Sequence, residues 1–252
     1  MPRIVWSKRL AKLLAFAMLV AVTCVGLGIW QIARLHQKQQ FNARVRAGLA
    51  APPQSLETLL PKGVDPDAVR YLRAGATGTY DVAHEVVLFG RTQNSQAGNH
   101  LLTPLVTAAG IAVIVDRGWV PLDVTTPGAV ETAPPTGTVR VIGVLLRSEG
   151  DVPGAVGGSN VPATTLAKID LARIQSQVPY RIAPVYLLLR DQSPAQPSRF
   201  PEPAPLAPLD EGPHLSYAIQ WFTFAAIALV GFVVLALREG RDRPVGPDDA
   251  ER

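Results

Sequence analysis

Leu13 to Ala33 reads LLAFAMLVAVTCVGLGIWQIA, 21 residues without a charge, the least apolar being Thr23, Cys24 and Gln31. A helix needs about 20 such residues to cross the hydrocarbon of a bilayer. A second run, Leu215 to Leu237, reads LSYAIQWFTFAAIALVGFVVLAL and passes the same test with 23 uncharged residues. These two runs decide the architecture. They predict transmembrane helices over 13–33 and 215–237, a basic N-terminal segment 1–12, and a tail 238–252. The chain between them divides into a domain over 34–190 and a proline-rich linker over 191–214. The fold expected is an α+β membrane protein, a two-helix hairpin carrying a mainly antiparallel β domain outside the cytoplasm.

The first run follows a basic stretch, as the core of a signal peptide does, but it is longer than such a core. It also lacks a small-x-small cleavage site followed by a polar start. Thr23 before Cys24 fits a lipoprotein site poorly. The run is read as an uncleaved anchor.

Composition agrees with this reading. The 252 residues are 48% hydrophobic and 17% charged, with mean hydropathy +0.18, too apolar for a disordered chain. The net charge of +4 would suggest an anionic partner, yet its distribution says otherwise. Residues 1–12 hold four cations and no acid, whereas 34–214 hold 16 Lys and Arg against 15 Asp and Glu. No basic surface is left to follow phosphates, so no nucleic acid is expected as a partner. Arg3, Lys8, Arg9 and Lys12 instead place the N-terminus in the cytoplasm by the positive-inside rule. Arg238, Arg241 and Arg243 after the second run place the C-terminus on the same side. Arg34, Lys38, Arg44 and Arg46 weaken the asymmetry, but two spans require both termini on one face. The tail after Leu237 is too short for a transmitter domain, which argues against a sensor.

Between the spans, residues 36–49 continue the first helix out of the membrane. Short β-branched segments then recur between turn signals: Tyr71–Tyr80, Glu85–Arg91, Leu101–Thr107, Ile111–Val120, Thr138–Arg147 and Pro184–Arg190. Alternation in Thr138–Arg147 puts Val139, Val141 and Leu145 on one face. One helix is expected after Asp170 as N-cap, with Leu171, Ile174 and Val178 as its buried stripe. Asp191–Pro213 holds seven prolines and is expected to be extended and semi-rigid.

Catalytic and metal motifs fail on inspection, and no enzyme is expected. His84-Glu85 begins like a zinc-protease helix, but Leu88 stands where the second His is required. Gly157-Gly158-Ser159-Asn160 lacks the spacing of a nucleophile elbow. A single cysteine, Cys24, excludes a disulfide framework or CxxC motif. The histidines 36, 84, 100 and 214 show no paired ligand spacing.

Three stretches hold more promise. Trp30, Arg34 and Lys38 fall at i, i+4 and i+8, on one helix face at the outer membrane boundary. An interfacial Trp with snorkelling cations explains them, and so does an anionic group met by Arg34 and Lys38. In Val115–Pro121, Arg117 and Trp119 share a face around Gly118, a candidate bulge. A structural Asp/Arg pair beside a buried Trp accounts for that stretch. The second span opens Gly212-Pro213-His214, with Tyr217, Ala218, Trp221 and Ala225 following on the His214 face. A histidine above aromatic and small residues suits a flat apolar macrocycle. A capping His with a Tyr/Trp belt suits the same residues.

Gly28-x-Trp30-Gln31-x-x-Arg34-x-x-x-Lys38, Gly98 through Thr103-Pro104-Leu105, Arg117-Gly118-Trp119-Val120-Pro121, and Gly212-Pro213-His214-Leu215-x-Tyr217-Ala218-x-Gln220-Trp221-Phe222 together resemble the SURF1 family. The likeness runs through both spans and the domain between them. What the resemblance implies is an assembly factor for haem-copper cytochrome c oxidase that binds haem a and aids its insertion. The partners implied are the catalytic subunit, membrane lipid and the machinery of haem a synthesis. His214 then corresponds to the axial ligand of the haem iron, with Tyr217 and Trp221 as apolar walls. Trp30 and Gln31 lie in the matching first-span motif, with Arg34 or Lys38 as partners for the propionates. His100 is a weaker alternative ligand. A scaffold that holds oxidase subunits without haem, through Ala17/Ala21 and Ala218/Ala225, is the competing expectation.

Overall fold

The computed structural model describes residues 7–150 and 164–241. The Gly157–Ser159 stretch, Arg3 and the acidic tail segment Asp248–Glu251 lie outside the described residues. The chain divides into two compact units, a helical one (Met1–Ala43 with Pro208–Arg252) and a sheet one (Arg44–Ala207).

The helical unit is built from α1 (Lys8–Ala50) and a partner near the C-terminus, which we call α5 (His214–Arg241). The two helices run antiparallel, because Ser7 hydrogen-bonds Glu239 while Gln31 meets His214. Leu10, Leu14, Ala17, Ala21, Cys24, Gly28 and Gln31 follow alternating steps of four and three, and all are buried or half-buried. His214, Ala218, Trp221, Ala225, Ala228 and Phe232 follow the same steps in α5. This is a heptad pattern, which keeps one narrow face of each helix against its partner. The small residues let the backbones approach, which substitutes for a hydrophobic driving force inside a bilayer. Ala21, Cys24 and Ala225 form the packed centre, flanked by Val20 and Trp221. At Gly28 a Cβ would lie 2.7 Å from the Phe222 ring. The small faces proposed for binding other subunits are therefore spent on the hairpin itself. The outward faces are bulky and apolar, with Phe16, Leu19, Val22, Ile219, Ile227 and Val230 exposed. Both helices are long and apolar enough to cross a membrane, and such an exposed apolar surface marks a membrane protein.

The sheet unit begins with β1 (Gln54–Ser55), α2 (Leu56–Leu59) and α3 (Pro66–Val69), none of which the sequence pattern announced. The strands that follow are β2 (Arg73–Tyr80), β3 (Val86–Gln93), β4 (Gln96–Thr107), β5 (Ile111–Pro121), β6 (Thr138–Arg147), β7 (Thr165–Leu166) and β8 (Arg181–Ser193), with α4 (Leu171–Gln175) before β8. Their order is β1-β2-β6-β8-β5-β4-β3-β7, and β2 also pairs with β4. That last pairing, Gly78–Tyr80 against Leu105–Thr107, closes β2, β6, β8, β5 and β4 into a five-stranded barrel. The sheet is mixed rather than uniformly antiparallel, since β1–β2, β3–β7 and β5–β8 are parallel. The parallel β5–β8 pair completes the barrel wall.

Alternating side chains fill the barrel. Val139, Val141 and Leu145 of β6 point inward, as their spacing predicts, to meet Leu105, Val113, Val115, Val185 and Leu187. A second core lies on the outer face, where Leu88, Leu102, Ile114, Tyr186 and Leu188 are covered by Leu166, Ile169, Leu171 and Ile174. This double coverage explains why residues 111–115 of β5 form a continuous apolar run. Asp170 caps α4, its Oδ1 accepting from the Arg173 amide at 3.0 Å. Leu171 and Ile174 are buried as expected, while Val178 lies beyond the helix end and packs partly against the same core.

Two boundaries move. β8 extends to Ser193, and the chain after it docks on the barrel: Glu202 exchanges backbone hydrogen bonds with Trp119 at 2.7 and 2.8 Å. The first part of the proline-rich segment is thus a strap on the sheet unit, held by pairing that its prolines do not reveal.

Candidate functional site

α5 starts at His214, after Gly212 turns the chain with φ of +72°. Its amide is held by Asp210 Oδ1 at 2.8 Å. This left-handed turn suits glycine, and a Cβ there would stand 3.4 Å from the His214 Nε2 and Cδ2. On α1, Gln31 faces the start of α5, and its Oε1 accepts from the His214 Nδ1 at 2.8 Å. A histidine whose Nδ1–H is engaged presents Nε2 as its lone-pair nitrogen. Among the described residues Nε2 has no hydrogen-bond partner, and the ring is half-buried. Further along the hairpin, Gln39 bonds Glu211 at 3.1 Å and Asn42 bonds the Asp210 carbonyl at 3.4 Å. These polar contacts gather at one end of the helix pair.

The other residues expected at this site take different places. Trp221 lies two turns along α5, half-buried against Ala21 and Cys24 and edge-on to Phe224 with centroids 5.9 Å apart. Tyr217 and Trp30 are exposed. Arg34 is exposed and donates only to Gln37, at 3.0 Å, and the exposed Lys38 has no ion-pair partner among the described residues. The structure therefore joins His214 to Gln31 and, among the described residues, leaves both cations without a carboxylate partner. Gln31 was visible as the polar break near the end of the first apolar run. Its partner was not, because pairing across a hairpin has no sequence spacing.

The Arg117-Gly118-Trp119 motif has a different character. Leu101 pairs with Gly118 and Leu102 with Asp116, so Arg117 is the extra residue of a bulge. The bulge turns its side chain into the protein, where it is 1% exposed. Its partner is Glu85, at 2.9 Å, and not the neighbouring Asp116. Nη1 also reaches Thr103, and Nη2 donates to the Thr132 carbonyl at 2.6 Å and to Gln196 at 3.0 Å. Glu85 accepts in addition from Thr103 and from the Gly128 amide at 2.9 Å. Burial pulls the Arg117 pKa down from its ordinary value, while the Glu85 carboxylate pulls it back. Gly118 has φ of +122°, and a Cβ there would stand 2.0 Å from the Glu202 carbonyl. Trp119 is buried against Phe200, with ring centroids 6.0 Å apart. The motif thus locks the barrel and its strap.

Among the remaining histidines, His84 bonds Asp81 at 2.7 Å and His100 bonds Asp116 at 2.9 Å. Among the described residues no three His, Cys, Asp or Glu side chains gather as a metal site.

The chain matches the SURF1 family over residues 18–226. It is 29% identical over 248 residues to an uncharacterised SURF1-like protein of Mycobacterium bovis, covering 96% of this chain and 90% of that protein. It is also 29% identical to a SURF1-like protein of Monosiga brevicollis, over 93% of this chain and 91% of the relative. The mouse protein named surfeit locus protein 1 is 24% identical over 55% of this chain and 49% of its own length. The family match takes in α1 from Met18 on, the whole barrel with its Arg117 lock, and the His214 end of α5, so this chain is a member of the SURF1 family.

Proposed function

We propose that this protein is an assembly factor for haem-copper cytochrome c oxidase that carries haem a as cargo, with His214 as the axial ligand of the haem iron. The observation that carries the reading is the Gln31–His214 hydrogen bond at 2.8 Å. Ligating histidines generally donate their other ring N–H to an oxygen, which fixes the tautomer and the ring plane. Haem iron takes an axial imidazole nitrogen, and Nε2 is the nitrogen this arrangement leaves. A single histidine ligand suits a carrier that must also release. Arg34 and Lys38 are the cations for the propionates, and Trp30, Tyr217 and Trp221 supply apolar contact. Both termini lie in the cytoplasm, and the barrel lies outside it. The partners are the oxidase catalytic subunit, the source of haem a and the surrounding lipid.

The scaffold alternative would have used the Ala17/Ala21 and Ala218/Ala225 faces. Ala17, Ala21, Ala218 and Ala225 are buried, so a scaffold would have to use the bulky outward faces. The deciding experiment purifies the full-length protein in detergent from cells that make haem a. A haem spectrum that His214→Ala abolishes, with an unchanged melting profile, is the expected result. A colourless wild-type protein that still co-purifies with the oxidase would overturn haem binding in favour of the scaffold.

A further inference from the structure

We propose that a cleft on the outer face of the barrel binds an apolar molecule carrying carboxylate groups, with Arg70 and Arg91 as the carboxylate partners and His100 as a polar contact on its floor. The cleft belongs wholly to the sheet unit and has a volume of about 710 Å³, within the range that receives small molecules. Leu88, Leu146, Ile169, Leu188 and Leu206 line it with apolar surface. Such a floor takes the body of an apolar ligand, and the few polar groups around it set what that ligand must carry.

Those groups favour an anion. The Arg70 guanidinium lies 4.7 Å from the centre of the Tyr71 ring and pairs with no carboxylate among the described residues. Arg91 spends Nη2 on Glu149 at 2.7 Å, while its Nε is buried without an acceptor. A guanidinium with unused prongs is a receptor for the planar fork of a carboxylate. The two acids in the lining are already held by donors. Asp116 accepts from His100 at 2.9 Å and from the Gly118 amide at 3.1 Å. Glu149 accepts from Arg91 and from the Ile169 amide at 3.2 Å. His100 Nδ1 is tied to Asp116, and Nε2 has no partner among the described residues, so the ring has one nitrogen left for a ligand. The cleft owes nothing to His214, and its occupancy is separable from the haem proposed for the hairpin.

The test uses the full-length His214→Ala protein in dodecyl maltoside, which removes the hairpin histidine as a source of binding. Metal-free protoporphyrin IX is titrated by fluorescence, with its dimethyl ester as the uncharged control and palmitate as a competitor. The acid is expected to bind saturably, and the ester about tenfold more weakly. Arg70→Gln and Arg91→Gln should each weaken the acid about tenfold and leave the ester unchanged. Arg70→Gln breaks no ion pair, so it separates recognition from folding. Displacement by palmitate identifies any carboxylate amphiphile as the ligand, and failure to displace identifies a ring-shaped one. Equal binding of acid and ester, wild-type affinity in both arginine variants, or no saturable binding of porphyrin or palmitate would each overturn the proposal.

Discussion

Arg117 and His214 are both polar residues within the region that matches the SURF1 family, and the protein treats them in opposite ways. Arg117 is buried beneath the bulge, with partners at both terminal nitrogens and a carboxylate beside it. His214 is half-buried, with one partner on one nitrogen. A buried charge must be paired because desolvation would otherwise expel it. Glu85 compensates Arg117, whose Nε alone lacks a partner, and at 1% exposure the side chain has no surface to offer a ligand. A ring tied by Nδ1 alone keeps a bonding position. In this molecule, a buried and charge-compensated polar group holds the structure, and polar groups that keep an accessible bonding position are the candidates for function.

The largest effect should come from emptying the buried site. Arg117→Ala leaves Glu85 buried without its cation, and breaking such a pair costs about 3–5 kcal/mol. Thermal unfolding of the purified protein should show a large loss of melting temperature. A variant that melts within a few degrees of wild type would put Arg117 in the functional class and break the comparison.

Gly118→Ala should come next. Its Cβ would collide with the Glu202 carbonyl at 2.0 Å, and the left-handed φ adds strain. Overpacking of this kind costs about 1–3 kcal/mol before the strain is counted. Limited proteolysis should cut the strap near Glu202 faster in the variant, since the Trp119–Glu202 pairing must open.

On the incomplete side, Gln31→Ala should change ligand binding with little effect on stability. Removal of such an orienting partner lowers affinity about 10–100-fold. Haem titration of wild type and variant, beside their melting curves, sharpens the comparison. A stability loss as large as that of Arg117→Ala would place the Gln31–His214 pair with the structural locks.

The smallest effect concerns Asp81. Burial alone would raise its pKa, but hydrogen bonds from Tyr180 and His84, with the His84 charge, outweigh that and hold it below its ordinary value of 3.8. A carboxyl depressed in the folded state stabilises above the unfolded pKa and loses that contribution as pH falls through the folded one. Asp81→Asn should therefore lower the melting temperature slightly at neutral pH, where the carboxylate contributes, and shrink the further drop on acidification below about pH 4. An acid profile identical to wild type would remove Asp81 from the acid response.

The sequence showed the long apolar runs, the alternating faces of β6 and the Asp170 cap, because each is written in residues near one another. Residues 36–49 are helical, as their composition predicts, and α1 continues to Ala50. It missed β1 and β7, two-residue strands too short for any periodicity. It also treated the proline-rich segment as a spacer, since a backbone bridge such as Trp119–Glu202 leaves no mark on side-chain pattern. Proximity in sequence points to Asp116 as the partner of Arg117, but the bulge directs it to Glu85.

The amino-acid sequence by itself determined the two apolar helices, the β-rich character of the domain and the candidacy of His214. These follow from local hydrophobicity, β-branching and the residues around a helix start. Tertiary structure alone decided that the small-residue faces of the helices serve each other, that β2 meets β4 to close a barrel, and that Gln31 is the residue holding His214. Those outcomes depend on which distant surfaces meet when apolar area is buried, and no local spacing encodes that choice.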